Sequence, residues 1–100
     1  MTYMDLLEKH IDELNKVLLA FEIKSPAAIR MLEDEKRALG LKYDLDDPQG
    51  ADFYIPACYN ALAVIRSAME QERPNAQLIS YVKDARDELT NILEYMKREF

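Results

Sequence analysis

Glycine and proline are scarce in this chain of 100 residues, with two Gly and four Pro. That leaves little material for the repeated tight turns of a sandwich or barrel and favours a few long helices. Cysteine is rarer still. The single Cys58 excludes an intramolecular disulfide and points to a reducing, cytoplasmic setting. Long uncharged apolar runs are also missing. The opening MTYMDLLEKHIDEL carries Asp5 and Glu8 early, unlike a signal or transit peptide. No stretch approaches the roughly 20 apolar residues of a membrane span.

Basic charge is in deficit too: 13 Lys and Arg against 19 Asp and Glu give a net −6. Without a basic stripe to displace counterions, general binding of nucleic acid is excluded. The deficit is concentrated in residues 41–56, where Asp44, Asp46, Asp47 and Asp52 face only Lys42. An acidic segment of this kind points toward a basic protein partner.

What is present reads as one helical domain over residues 1–100, long enough to bury a core without disulfides or metal. Four helices are predicted, at about 3–23, 26–39, 55–71 and 75–98. In the first, Met4, Leu7, Ile11, Leu14, Leu18 and Phe21 recur at alternating spacings of 3 and 4, a heptad seam. Ser25-Pro26 stops that helix and is expected to cap and start the second. There Ile29, Leu32 and Leu39 face inward, Arg30/Asp34 and Glu33/Arg37 form outer pairs, and Gly40 is the expected left-handed terminator. The third helix is expected to begin at Pro56, with a stripe of Ile55, Cys58, Leu62, Ile65 and Met69. Arg73-Pro74-Asn75 breaks the chain before the fourth. Its seam of Leu78, Val82, Ala85, Leu89, Ile92 and Met96 is flanked by further apolar residues, so this helix touches two neighbours. Two helical hairpins closing into an antiparallel four-helix bundle are the natural architecture.

Candidate chemistry is thin. KYDLDDPQGADFYIP, residues 42–56, is the one dense cluster of acids and aromatics. Read as an EF-hand it fails, because Pro48 and Gln49 occupy a ligand position and the obligatory glycine position, and no Glu closes the loop. Asp47-Pro48-Gln49-Gly50 reads instead as a β-turn. His10, the only histidine, flanks the first seam and reads as a partly buried boundary residue, although a Cys58–His10 nucleophile–base pair is formally available. Cys58 reads as a small buried hydrophobe. Glu8, Asp12, Glu22, Glu33, Glu35, Asp84, Asp87 and Glu88 fall mostly off the seams and read as solvated faces. No Gly-rich phosphate loop, nucleophile elbow or metal-ligand motif occurs, so no catalytic or metal residues and no cofactor are assigned.

The aromatics Tyr43, Phe53 and Tyr54 bracket the acidic segment. Either they fold inward and cap the bundle, or with Asp44, Asp46 and Asp47 they form a partner-binding surface. Leu19 and Ile23 point off the seam and await cover by residues 41–55 or by a second chain. With Tyr81 and Tyr95 they are the candidates for self-association as a homodimer. The expected function is a non-enzymatic, cytoplasmic interaction protein that binds another protein through a helix face or the 43–54 loop. The alternative is a ligand- or metal-responsive regulator with a small site at the loop–bundle junction.

Overall fold

A computed structural model describes all residues, Met1–Phe100. It contains α1 (Tyr3–Glu22), α2 (Ala28–Leu39), α3 (Pro48–Glu70) and α4 (Asn75–Glu99). They form the expected compact four-helix bundle, without strands. Its long axis of 38 Å matches the length of α4, about 37 Å at 1.5 Å per residue. Neighbouring helices run antiparallel. Glu8 pairs with Lys97 at 3.0 Å and Asn15 accepts from Arg86 at 3.1 Å, which fixes the register of α1 against α4. None of the helices is long and apolar enough to cross a membrane.

The buried stripe of α1 is Tyr3, Leu7, His10, Leu14, Val17 and Phe21, widened by Leu6 and Ala20. Met4, Ile11 and Leu18, expected on the seam, are only partly buried. The helix is rolled toward Tyr3, His10 and Val17 because it packs on α2 and α4 together and touches α3 across the bundle. On α2 the inward stripe is Ala28, Leu32, Glu35 and Leu39, while Ile29 is exposed. On α4 it is the expected seam with Leu93 in place of Ile92. Fully buried Leu7, Leu14, Leu32, Ile65 and Leu89 each contribute about 1.5–3 kcal/mol by leaving water.

The largest departure from expectation is the start of α3, at Pro48 instead of near Ile55. Asp47 is the N-cap, accepting from the Gly50 amide at 3.1 Å, and Pro48 supplies the helical φ of the first turn. A type I β-turn and a first helical turn share these dihedrals, so the turn reading had the local geometry but not its continuation. Burial of Gly50, Tyr54, Ala57, Cys58 and Ala61 carries the helix onward. It continues through Pro56, which is exposed and lacks the amide that would bond the Asp52 carbonyl. A Cβ on Gly50 would lie 2.1 Å from an Asp47 carboxylate oxygen, so a side chain there would turn the Asp47 carboxylate away from its capping position. Ile55, expected on the inner stripe, is consequently exposed.

The helix ends also differ from the simplest sequence rules. Gly40 has φ −87° and is not left-handed. The left-handed residues are Lys24 (φ 56°) and Glu72 (φ 49°). Each closes a Schellman turn: Ser25 N–H bonds the Ala20 carbonyl and Lys24 N–H that of Phe21, and Arg73 and Glu72 repeat the pattern on Ala68 and Met69. Ser25 and Pro26 belong to the turn, so α2 begins at Ala28, with Ser25 Oγ accepting from the Ala27 amide. The outer pairs on α2 are Glu33–Lys36 and Asp34–Arg37, one residue closer than expected.

Helix α2 is short, about 18 Å against about 34 Å for α3. Its end lies beside Leu62 of α3, since a Cβ on Gly40 would be 3.5 Å from a Leu62 methyl. From Leu62 back to Pro48 the bundle lacks a fourth helix over about 21 Å. Residues 40–47 cross that gap as a non-helical strap.

Candidate functional site

The strap is pinned by one side chain. The Tyr3 hydroxyl donates to the Tyr43 carbonyl at 3.0 Å and accepts from the Leu45 amide at 3.4 Å. Tyr3 is buried in the first turn of α1, where Thr2 and Asp5 form a reciprocal capping box. The Asp5 carboxyl is held below its usual range by the Thr2 backbone amide and, secondarily, the Thr2 hydroxyl.

Beneath the strap lies a buried polar network. His10 Nδ1 is 2.6 Å from Glu35 Oε1, and His10 Nε2 is 2.9 Å from the Tyr54 hydroxyl. The three residues are 5%, 5% and 3% exposed. A carboxylate oxygen accepts, so Nδ1–H donates to Glu35, and the other ring nitrogen, Nε2, meets the Tyr54 hydroxyl. The Tyr54 ring is 4.9 Å from that of Tyr3, stacks on His10 at 5.9 Å and meets Tyr43 edge-on at 6.4 Å. Cys58 is buried one turn further along α3. Every buried side-chain polar atom in the protein has a hydrogen-bond partner.

Burial raises the Tyr54 phenol far above the usual tyrosine range and pushes the Cys58 thiol up to about 11. Both groups hold their protons at neutral pH, so this cluster presents neither thiolate nor phenolate. His10 pairs with Glu35 and Tyr54, not with Cys58. Its position in the core, rather than at the boundary, and the burial of Glu35, rather than its solvation, correct the reading made from the sequence. The signal was available. His10 lies on the Tyr3–Leu7–His10–Leu14–Val17–Phe21 heptad, Glu35 on Ala28–Leu32–Glu35–Leu39, and Tyr54 on Tyr54–Cys58–Ala61–Ile65–Ala68. Three polar residues on three apolar seams must find one another in a closed bundle.

The strap is narrower than a helix, and a cavity opens on each side of it. Toward α1 and α2 one of about 360 Å³ is walled by Leu6, Lys9, His10, Met31 and Glu35. Toward α3 a more apolar groove of about 480 Å³ runs between Leu39, Leu41, Tyr43, Ile55, Tyr59 and Leu62, with Cys58 at its side. Leu41, Ile55 and Tyr59 are 57%, 59% and 71% exposed, so this groove opens onto a solvent-facing apolar patch. Sequence reasoning missed all three. Leu41 precedes the acidic run, and Ile55 and Tyr59 looked ordinary until α3 was extended to Pro48.

The residues singled out from the sequence are dispersed. Tyr43 stands between the two cavities, and Asp44 and Asp46 are exposed on the strap. Asp47 is committed to capping α3. Tyr54 is inside the bundle, and Phe53 faces α4, 5.3 Å from Tyr95 and 5.7 Å from Phe100. Leu19 and Ile23 are exposed at the far end of α1. Tyr81 is half-buried under Arg73, whose guanidinium lies 5.8 Å from the ring centre. Tyr81 and Tyr95 are separated by about 21 Å along α4, so the four self-association candidates do not form one patch. No group of three His, Cys, Asp or Glu side chains is placed to hold a metal ion.

The molecule is thus an up-down-up-down four-helix bundle in which a strap replaces the second half of α2. No family model, curated protein or solved structure matches the chain.

Proposed function

We propose that the protein is a non-enzymatic, cytoplasmic interaction module that binds a partner protein at the junction of the strap and α3. The observation that carries this reading is the convergence of exposed Leu41, Tyr43, Ile55 and Tyr59 on one groove. Apolar and aromatic side chains gathered around a concavity supply the desolvated centre that protein recognition needs. Asp44 and Asp46 on the strap and Asp52 on α3 supply a charged rim that steers association.

A double variant, Ile55→Ser with Tyr59→Ser, tests the surface without touching the core. A partner captured by the wild type and by Leu19→Ser, but not by the double variant, supports the reading; equal capture by all three removes it. Reversing Asp44, Asp46 and Asp52 to Lys should lower the association rate about tenfold at low salt with little change in melting temperature. Asp47 is left out because its loss would uncap α3.

A second reading has an observation in its favour. The groove volume of about 480 Å³ falls within the range of small-molecule sites, which supports a regulator responsive to an apolar ligand at the loop–bundle junction. Thermal-shift screening with small apolar ligands separates the two: a rise in melting temperature that Tyr59→Ser abolishes favours the ligand reading.

A further inference from the structure

We infer that the groove takes a basic amphipathic helix from a partner protein, laid along α3 where α2 stops. This rests on the recognition surface proposed above and names its occupant.

Shape comes first. Ile55, Tyr59 and Leu62 follow one another at i, i+4 and i+7 on α3 and form a ridge whose Ile55 and Tyr59 are left exposed beyond the end of α2, with Leu62 half-buried beside that end. The bundle corner there is occupied only by the strap. A helix continuing the track of α2 would set its own i, i+3/i+4 apolar residues against that ridge and between Leu39 and Leu41. A β-strand added to the strap is a poorer fit, because the Tyr43 carbonyl and Leu45 amide are already bonded to Tyr3.

Charge then selects the partner. No carboxylate lines the groove itself; the acids stand outside it, with Asp44 and Asp46 exposed on the strap beyond Tyr43 and Asp52 exposed one helical turn before Ile55 on the same face of α3. Lys42 is the one cation lining the groove. A second copy of this chain, with its net charge of −6, would bring acid against acid, whereas Lys and Arg flanking the apolar face of a partner helix meet these carboxylates.

The test uses the full chain, labelled with 15N, and peptides of about four helical turns, roughly 14 residues. They share one apolar face and carry a basic, neutral or acidic solvent face; a fourth is basic with a central proline. Amide shifts at Ile55, Tyr59 and Leu62, with the basic helix binding at least about tenfold more tightly than the acidic one at low salt, support the inference. So does reversal of that preference in Asp44→Lys/Asp52→Lys. Equal binding of the basic, neutral and acidic helices at those amides overturns the basic occupant while leaving the recognition surface in place. Equal binding of the proline peptide overturns the helical occupant, and peptide-independent, concentration-dependent shifts there overturn it in favour of a second copy. No shift at those amides with any peptide, or shifts at Leu19 and Ile23 instead, overturns the inference and the surface together.

Discussion

At the end of the bundle holding the two Schellman turns, Val17, Phe21, Leu32, Ile65, Val82 and Ala85 are buried with every helix present, and apolar, mostly aliphatic side chains fill the core. Toward the opposite end, Tyr3, His10, Glu35 and Tyr54 occupy equivalent seam positions, α2 stops at Leu39 one turn past Glu35, and a strap of backbone continues in its place. The aromatics follow the same division: Tyr3, Tyr43, Phe53, Tyr54, Tyr59, Tyr95 and Phe100 crowd the strap end, leaving Phe21 and Tyr81 to the other. The difference teaches where shape is fixed by packing and where by hydrogen bonds. Aliphatic interdigitation tolerates volume-conserving exchange. A buried polar network does not, because any unpartnered member costs its desolvation.

The comparison breaks most visibly at Glu35. Glu35→Ala should cost about 1–3 kcal/mol in chemical denaturation by leaving His10 Nδ1 without its partner, an effect comparable with that of Leu32→Ala at the aliphatic end, about 2–5 kcal/mol. His10→Leu with Glu35→Leu should cost clearly less than the sum of the two single changes; simple additivity would show that the pair is not coupled.

The next effect is alkaline. The folded Cys58 thiol titrates near 11, raised from 9.0, and Tyr54 is raised beyond that. The acid forms are therefore favoured by folding. Their contribution is complete below pH 9 and is lost as pH climbs toward 11, by about 2–3 kcal/mol for Cys58. Denaturation midpoints of Cys58→Ala followed from pH 8 to 11 should fall less steeply than those of the wild type.

Tyr3→Phe should cost about 1 kcal/mol and speed amide exchange in the strap, with exchange in α4 unchanged. The smallest effect is expected at the turns, where Lys24→Gly and Glu72→Gly relieve left-handed backbone. Each should add about 0.5–1 kcal/mol in thermal unfolding, partly offset by the greater freedom of glycine when unfolded.

The bundle was legible in the sequence because α1 and α4 carry long apolar periodicities, and Leu7, Leu14, Phe21, Leu78, Val82 and Leu89 are buried as expected. The first half of α3 was not. Pro48, Gly50 and Pro56 are breakers by propensity, and the burial that overrides them comes from Gly50, Tyr54, Ala57, Cys58 and Ala61, most of them too small to mark a stripe. The site was obscured for a related reason. Glu35 read as solvated because acids off a seam usually are, and a stripe drawn through Ile29 instead of Ala28 hid that Glu35 was on it.

The strap also bears on the order of assembly. Each helical hairpin closes over short turns, but the Tyr3–Tyr43 bond joins residues 40 apart in sequence, a loop closed only once α1 and α3 are already in register. It should form after the rate-limiting barrier. In refolding and unfolding kinetics, Tyr3→Phe should leave the folding limb unchanged and steepen the loss of the native state, raising the unfolding rate about fivefold for each kcal/mol removed. The latch over the groove would then govern how long the folded molecule persists, while the helices beneath it govern how fast it is reached.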